Sequence, residues 1–336
     1  MIRVAINGFG RIGRIAFREM ITGRDFDIVA VNDLSNAEEL AYLLKYDTNH
    51  RSFHEDEISF DNDNIVIAGK KRVKVLSEAD PSKLPWGDLN IDVVLECSGR
   101  FTKYEDAYKH ITAGARHVVI SAPGKGDMKT IVYGVNDSIL DGSEEVISAA
   151  SCTTNCLAPV LNVIEKNIGI RKGYMSTVHA YTNDQATLDI HHSKGIMARR
   201  GRACAQNIVP ASTGAASAIG KVIPSLLGKM DGMAFRVPVS CGSVVDLTLE
   251  LEKDVSKEKL NDLLRNNQSE ALKVCEDPIV SSDVLGKKCG ALVDLLSTNV
   301  LETEAGNLVK VVAWYDNEMG YTAQMLRTAK ALIKEK

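Results

Sequence analysis

The sequence predicts an α/β fold: a doubly wound parallel sheet in the first half, then an α+β domain on a largely antiparallel sheet. Three observations carry that prediction. Over residues 1–150 short apolar runs alternate with amphipathic segments, the rhythm of successive β-α-β units. The first run enters a glycine-rich turn, Gly8-Phe9-Gly10-Arg11-Ile12-Gly13. After residue 150 the runs lengthen, and Val245-Asp246-Leu247-Thr248-Leu249-Glu250-Leu251 alternates apolar with polar, as a sheet with one covered face requires.

Length asks for two domains, because 336 residues exceed the ~250–300 at which a single core stops growing. The expected boundaries are a first domain over 1–150, joined by a C-terminal helix from 317–336, and a second over 151–316. In chain order, Ile2–Ile6, Ile28–Asn32, Ile91–Glu96, His117–Ser121 and Val146–Ala149 are predicted strands. Asp61–Leu76 holds two β-rich pieces around Gly69, a hairpin. Thr102–Ala113 is a predicted helix that stops at Gly114, a suitable left-handed residue. In the second half Tyr174–Tyr181, Ala234–Ser240, Val244–Leu251 and Leu308–Tyr315 are longer strands. Ser256 caps a helix with Leu260, Leu263 and Leu264 on one face, and a last helix covers Gly320–Lys334.

Composition narrows the function. Apolar residues are 45% and charged residues 25%, so the chain can bury a core without disulfides or metals. A net charge of −4 gives no field that draws it to nucleic acid or an anionic membrane. No apolar run reaches the ~20 residues of a bilayer span, and the N-terminus lacks a signal peptide's apolar stretch. Seven cysteines without framework spacing argue against a secreted disulfide scaffold and for the reducing cytoplasm.

The glycine turn fits G-x-G-x-x-G in its required context, after a strand and opening a helix. The first glycine permits the tight turn, the second lets backbone approach a pyrophosphate, and the third lets helix and strand pack closely. This makes the first domain a Rossmann-type dinucleotide-binding unit. Asp33, about twenty positions beyond Gly13, ends the second strand, where a carboxylate bonds ribose hydroxyls and repels a 2′-phosphate. Leu34 follows it rather than an arginine, so NAD is favoured over NADP.

Ala150-Ser151-Cys152-Thr153-Thr154-Asn155 joins a strand to a helix, placing Cys152 at a helix N-terminus that favours thiolate. A buried inert cysteine is the commoner state of any single Cys, and a lone histidine is more often structural. A Cys152–His179 pair explains both residues: nucleophile and proton-exchanging partner. A bound metal is not expected. His191 and His192 are adjacent and point apart on a regular element, and no C-x-x-C pair occurs.

At these residues the chain resembles the glyceraldehyde-3-phosphate dehydrogenases. Asn7 to Arg14, Ala150 to Asn155, His179 to Gln185, Ser212-Thr213-Gly214-Ala215-Ala216, Phe235-Arg236-Val237-Pro238 and Trp314-Tyr315-Asp316-Asn317-Glu318 look like that family's signature segments, in its order. The resemblance implies phosphorylating oxidation of glyceraldehyde 3-phosphate to 1,3-bisphosphoglycerate in glycolysis or gluconeogenesis. Cys152 would form a hemithioacetal, His179 would take its hydroxyl proton as hydride leaves for NAD, and phosphate would attack the resulting thioester. The resemblance assigns Gly8, Gly10, Arg11, Ile12, Gly13, Asp33, Ser121 and Asn317 to the cofactor. It assigns Thr182, Asp184 and Arg236 to the substrate phosphate, and Ser151, Thr153, Thr213 and Gly214 to the attacking phosphate. Taken alone, Thr213-Gly214 caps a helix over Ala215–Ile223, and Thr213 can do both. The arginine-bearing segment His191–Gln206 looks like the family's S-shaped loop, which reaches a neighbouring subunit and implies a homotetramer. No membrane or nucleic-acid partner is implied.

Two positions depart from the pattern. Ala79 stands where many members carry a basic residue, which removes one adenine-side contact, and Ser240-Cys241-Gly242 varies from the usual strand end. Two other functions fit part of the sequence: erythrose-4-phosphate dehydrogenase, which finishes with water, and a nucleotide-binding thiol redox sensor. The phosphate-site segment at Thr213-Gly214 favours the phosphorylating enzyme.

Overall fold

The computed structural model describes residues 1–193, 195–304 and 306–333. Lys194 in the S-shaped segment and positions 334–336 of the expected last helix lie outside the described residues. The chain divides into two compact units. One holds residues 1–133, 137–151 and the segment from Thr322 onward, and the other holds 134–136 and 152–321.

The first unit runs β1 (Ile2–Asn7), α1 (Arg11–Thr22), β2 (Phe26–Asn32), α2 (Ala37–Lys45), β3 (Ile58–Asp61), β4 (Asn64–Ile67) and β5 (Lys71–Leu76). It continues with β6 (Val93–Glu96), α3 (Tyr104–Ala107), α4 (Lys109–Thr112), β7 (His117–Ile120) and β8 (Val146–Ser148). The sheet order is β3-β4-β5-β2-β1-β6-β7-β8, with every neighbouring pair from β5 to β8 parallel. The order reverses between β1 and β6, so a ligand crevice opens beyond the carboxyl ends of those two strands.

Both faces of this sheet are covered at its parallel centre, which is why Val4–Ile6, Val93–Leu95 and Val118–Ile120 are unbroken apolar runs, whereas β5 alternates exposed Arg72 and Lys74 with buried Val73 and Val75. Val4, Ile6 and Leu95 enter one core with Phe17 and Met20 of α1 and with Met325 and Ala329 near the chain's end. Ala5, Val94 and Val118 alternate onto the opposite face with Trp86 and Ile91. The hairpin expected around Gly69 is β4–β5, closed by Ala68 (φ 50°) and Gly69 (φ 67°), as a two-residue turn with both φ positive requires. Its second strand pairs onto β2, and β3 adds a strand the sequence did not announce. The helix expected over Thr102–Ala113 starts only at Tyr104, because Thr102 and Tyr104 exchange backbone hydrogen bonds with Lys125; it is divided at Tyr108.

The second unit begins with α5 (Cys152–Asn167) and β9 (Ile170–Ala180), then β10 (Val209–Ser212), α6 (Ala215–Val222), β11 (Met230–Val237) and β12 (Ser243–Leu251). It ends with α7 (Lys257–Asn266), β13 (Leu272–Cys275), β14 (Ala291–Leu301) and β15 (Leu308–Tyr315). Its seven strands are ordered β10-β11-β9-β12-β15-β14-β13 and are antiparallel except β11/β9 and β13/β14. The Ser256 hydroxyl accepts the Lys259 N–H at 3.3 Å and caps α7, which buries Leu260 and Leu264 and leaves Leu263 partly exposed. The last helix is α8 (Met319–Leu332). Among the described residues no helix is long and apolar enough to cross a membrane.

Candidate active site

In the first unit the crevice beyond β1 and β6 is a cleft of about 290 Å³. Its walls include Asn7, Gly8, Gly10, Asn32, Asp33 and Ser98. Gly8 has φ +92°, and a Cβ there would sit 2.5 Å from the backbone of Ser98; a Cβ on Gly13 would sit 2.2 Å from the Gly8 carbonyl oxygen. Around Gly10 there is open space, so backbone lies bare at the head of α1, where the first N–H groups have no partner in the helix. Asp33 accepts the Phe9 N–H at 2.7 Å and the Ser35 N–H at 3.2 Å, which fixes its carboxylate at the rim.

Two residues assigned to the cofactor have their side chains elsewhere. Arg11 forms a two-pronged ion pair with Asp47 and Ile12 packs into the apolar core, whereas the Ser121 hydroxyl bonds the thiol of Cys97, which lines the cleft. Arg11 and Ile12 therefore offer a ligand only the backbone N–H groups of the first helical turn. Ala79 does line the cleft, so the missing basic side chain is missing from a position that faces it.

In the second unit, Cys152 is the first residue of α5, and its Sγ lies 3.4 Å from His179 Nε2. His179 stands near the end of β9, 2% exposed. The Ala180 carbonyl oxygen is 2.7 Å from its Nδ1, a distance that needs a proton between them. Nε2 consequently turns a lone pair toward the sulfur. Arg236 on β11, paired across from His179 in the sheet, donates from Nη1 to the same Ala180 oxygen at 3.0 Å, so two donors converge there, 3.0 Å apart.

Burial works against both charges of the pair. It pushes the Cys152 thiol up, against the pull of Arg236, of Thr153 and of the backbone N–H groups at the helix head. The thiolate-favouring helix terminus expected from sequence is present, and desolvation outweighs it. Burial first, and the Arg236 charge second, hold His179 down to about 3. The resting pair is thus a thiol facing a neutral imidazole already in the tautomer of a base.

Thr182, Asp184 and Arg236 are brought together. Arg236 Nη1 donates to the Thr182 hydroxyl at 3.1 Å, that hydroxyl donates to Asp184, and Asp184 pairs with Arg200. Burial raises Asp184 and the Thr182 hydrogen bond and the Arg200 charge more than reverse it, keeping the carboxylate ionised. Arg236 Nε is buried without a hydrogen-bond partner, a donor left over for a ligand. Thr153 differs from expectation. Its buried hydroxyl bonds the Tyr315 hydroxyl at 2.9 Å, which Thr177 also reaches at 2.9 Å, and it bonds the Cys152 sulfur as well. The Thr213 hydroxyl accepts the Ala215 N–H at 3.2 Å, its capping role, and Gly214 beside it is exposed. Asn317 Oδ1 accepts from the Gly242 N–H at 3.1 Å and the Ser243 hydroxyl at 2.9 Å, which orients the amide.

Comparison with known proteins decides the family. Family descriptions match twice: "Glyceraldehyde 3-phosphate dehydrogenase, NAD binding domain" over residues 2–104, and "Glyceraldehyde 3-phosphate dehydrogenase, C-terminal domain" over residues 151–317. Proteins named glyceraldehyde-3-phosphate dehydrogenase from Clostridium acetobutylicum and Clostridium pasteurianum are each 53% identical over 334 residues, 99% of both chains. One from Streptococcus pyogenes is 48% identical over 335 residues, again 99% of both chains. The chain belongs to the glyceraldehyde-3-phosphate dehydrogenase family. As a member it is an NAD-dependent oxidoreductase, and the cleft chemistry fits that cofactor: backbone N–H groups at the helix head for a diphosphate, and the Asp33 carboxylate, followed by Leu34, as an acceptor for ribose.

Several site residues of this dehydrogenase escaped the sequence. Arg200 supplies the charge that holds Asp184, and Tyr315 ties down Thr153. Both signals, an arginine in a polar run and a tyrosine ending a strand, are too common to single out. Asn32, Glu78 and Ser98 line the cleft with Asn7 but sit in segments with no motif of their own.

Proposed function

We propose that this enzyme oxidises glyceraldehyde 3-phosphate to 1,3-bisphosphoglycerate with inorganic phosphate, through a thioester on Cys152, as a cytoplasmic homotetramer in glycolysis or gluconeogenesis. The observation that supports it most is the Cys152–His179 contact at 3.4 Å with Nδ1 tied to Ala180. Cys152 Sγ attacks the aldehyde carbon while its proton passes to Nε2 and on to the carbonyl oxygen, giving a hemithioacetal. A bound NAD would supply the acceptor for the hydride on that carbon. His179 holds the hydroxyl proton as the carbonyl reforms, leaving a thioester. Phosphate oxygen then attacks the acyl carbon, and the sulfur leaves as thiolate to regain its proton. Sulfur suits both steps because it attacks well and leaves well.

Arg236 and Thr182 hold the substrate's phosphate, with the unpartnered Nε as one donor. Asp184 acts by fixing Thr182 and Arg200 rather than by touching an anion. Ser151, the backbone at Thr153, Thr213 and Gly214 receive the attacking phosphate. Asn317, its oxygen already taken by β12, offers its amide N–H groups to the nicotinamide carboxamide. Gly8, Gly10 and Gly13 with the first backbone of α1 hold the diphosphate, and Asp33 the adenosine ribose.

The test is NADH formation from glyceraldehyde 3-phosphate with and without inorganic phosphate or arsenate. Sustained turnover is expected only with one of them. Equal turnover without either sinks the phosphorylating reading, and so does a preference for erythrose 4-phosphate.

A further inference from the structure

Behind the cofactor cleft lies a buried polar chain that none of the reaction steps uses. Glu96 ends β6 and is 1% exposed; His110 on α4 is 0% exposed. The Trp86 indole N–H donates to His110 Nδ1 at 2.9 Å. An indole is a donor only, so Nδ1 carries a lone pair and the ring's proton sits on Nε2. Nε2 donates to Glu96 Oε2 at 3.1 Å. The same oxygen accepts from Asn7 Nδ2 at 2.5 Å, while Oε1 accepts the Ser98 N–H at 2.8 Å and the Ser98 hydroxyl at 2.5 Å. Four donors fill the carboxylate's four acceptor positions, and among the described residues no lysine or arginine pairs with it. A carboxylate buried on neutral donors alone is expensive, by several kcal/mol of lost hydration before hydrogen bonding offsets it.

Its donors are what make it useful. With Asn7 Nδ2 on Glu96, Asn7 Oδ1 accepts from Asn32 Nδ2 at 2.7 Å, and Asn32 then exchanges two 2.9 Å hydrogen bonds with the Glu78 backbone. The Asn7 amide is thus held from both ends, by Glu96 and by Asn32, whose own orientation the Glu78 backbone fixes. Asn7, Asn32, Glu78 and Ser98 all line the cleft, and Ser98 is also the backbone against which Gly8 must turn. One carboxylate thus grips a residue on each wall, Asn7 at the end of β1 and Ser98 just after β6.

We propose that Glu96, itself oriented by the neutral His110–Trp86 pair, is a positioning residue that pre-forms the dinucleotide cleft. It touches no cofactor atom; it removes the conformational freedom that binding would otherwise have to remove. The proposal rests on the NAD reading of the cleft, which wild-type binding measured by calorimetry checks separately.

Glu96→Gln keeps the shape but puts an amide N–H₂ against donors. Its dissociation constant for NAD is expected to rise about tenfold or more, the scale of one buried donor left unpaired, while KM for the aldehyde moves by less than about twofold. Trp86→Phe removes one N–H far from the ligand, freeing the His110 tautomer. It is expected to weaken NAD binding roughly three- to fivefold with kcat at saturating NAD unchanged. His110→Gln, which can both donate and accept as a neutral amide, should bind NAD more tightly than His110→Leu. A folded Glu96→Gln enzyme with NAD affinity unchanged overturns the proposal. If that variant does not fold, unchanged affinity in Trp86→Phe overturns it equally. Lowered melting temperatures with unaltered NAD binding in either variant mean a structural role only.

Discussion

Two strand–turn–helix units in this chain use the same local architecture for opposite purposes. At β1–α1 the residue with positive φ is Gly8 (+92°), and the turn strips away side chains so that backbone can meet a ligand. At β8–α5 the residue with positive φ is Ala150 (59°), buried, its N–H held by the Ser148 hydroxyl at 3.1 Å. There the turn must present a side chain, Cys152, at the helix's first position. A left-handed alanine costs roughly 1–2 kcal/mol. Gly8 cannot be replaced because a Cβ would strike Ser98 backbone; at Ala150 a Cβ is already in place. Glycine is demanded by what approaches the turn rather than by the turn itself.

That contrast can be broken by making each unit fail alone. The largest effect belongs to Cys152→Ser, which should lower turnover roughly 10⁴-fold or more while NAD binding stays intact, measured by steady-state kinetics beside calorimetry. His179→Asn should slow the hydride step about a hundredfold, the scale of losing a general base, seen as the lost pre-steady-state burst of NADH. Gly8→Ala acts on the other turn. With backbone 2.5 Å from the new Cβ, NAD affinity should fall at least about tenfold, while iodoacetamide still alkylates Cys152 at the wild-type rate. A matching loss of thiol reactivity would mean that the two turns are not independent. The smallest effect is Ala150→Gly, expected to raise unfolding stability by up to about 1 kcal/mol in urea. A net loss would show that the alanine methyl's packing outweighs its backbone strain.

Much of this molecule was legible because local rules and tertiary demands coincide. The glycine spacing announced a turn, Asp33 stood at the strand end, and Ser256 capped its helix. The strands missed are those where local signals conflict. β10 contains Pro210, which argues against a strand except near an edge. β13 is four residues long, and β14 is an apolar run interrupted between Asp294 and Asn299, so neither shows clean alternation. In the sites, residue types were visible but their partners were not. Nothing in the sequence says that Arg11 turns to Asp47, that Thr153 gives its hydroxyl to Tyr315, or that Trp86, His110 and Glu96 meet in the interior. Those contacts join residues far apart in the chain, and only the assembled sheet brings them together. The desolvation that neutralises Cys152 and His179 is of the same kind, a property of what surrounds them.

The position of α8 has a consequence for synthesis. Met325, Leu326, Ala329 and Leu332 of α8 complete the same apolar interior that Val4 and Ile6 of β1 begin, although the whole second unit is threaded between them. A nascent chain cannot close that interior before α8 has been made, so β1 waits, partly uncovered, until then. Loss of α8 therefore uncovers β1 as much as it removes a helix.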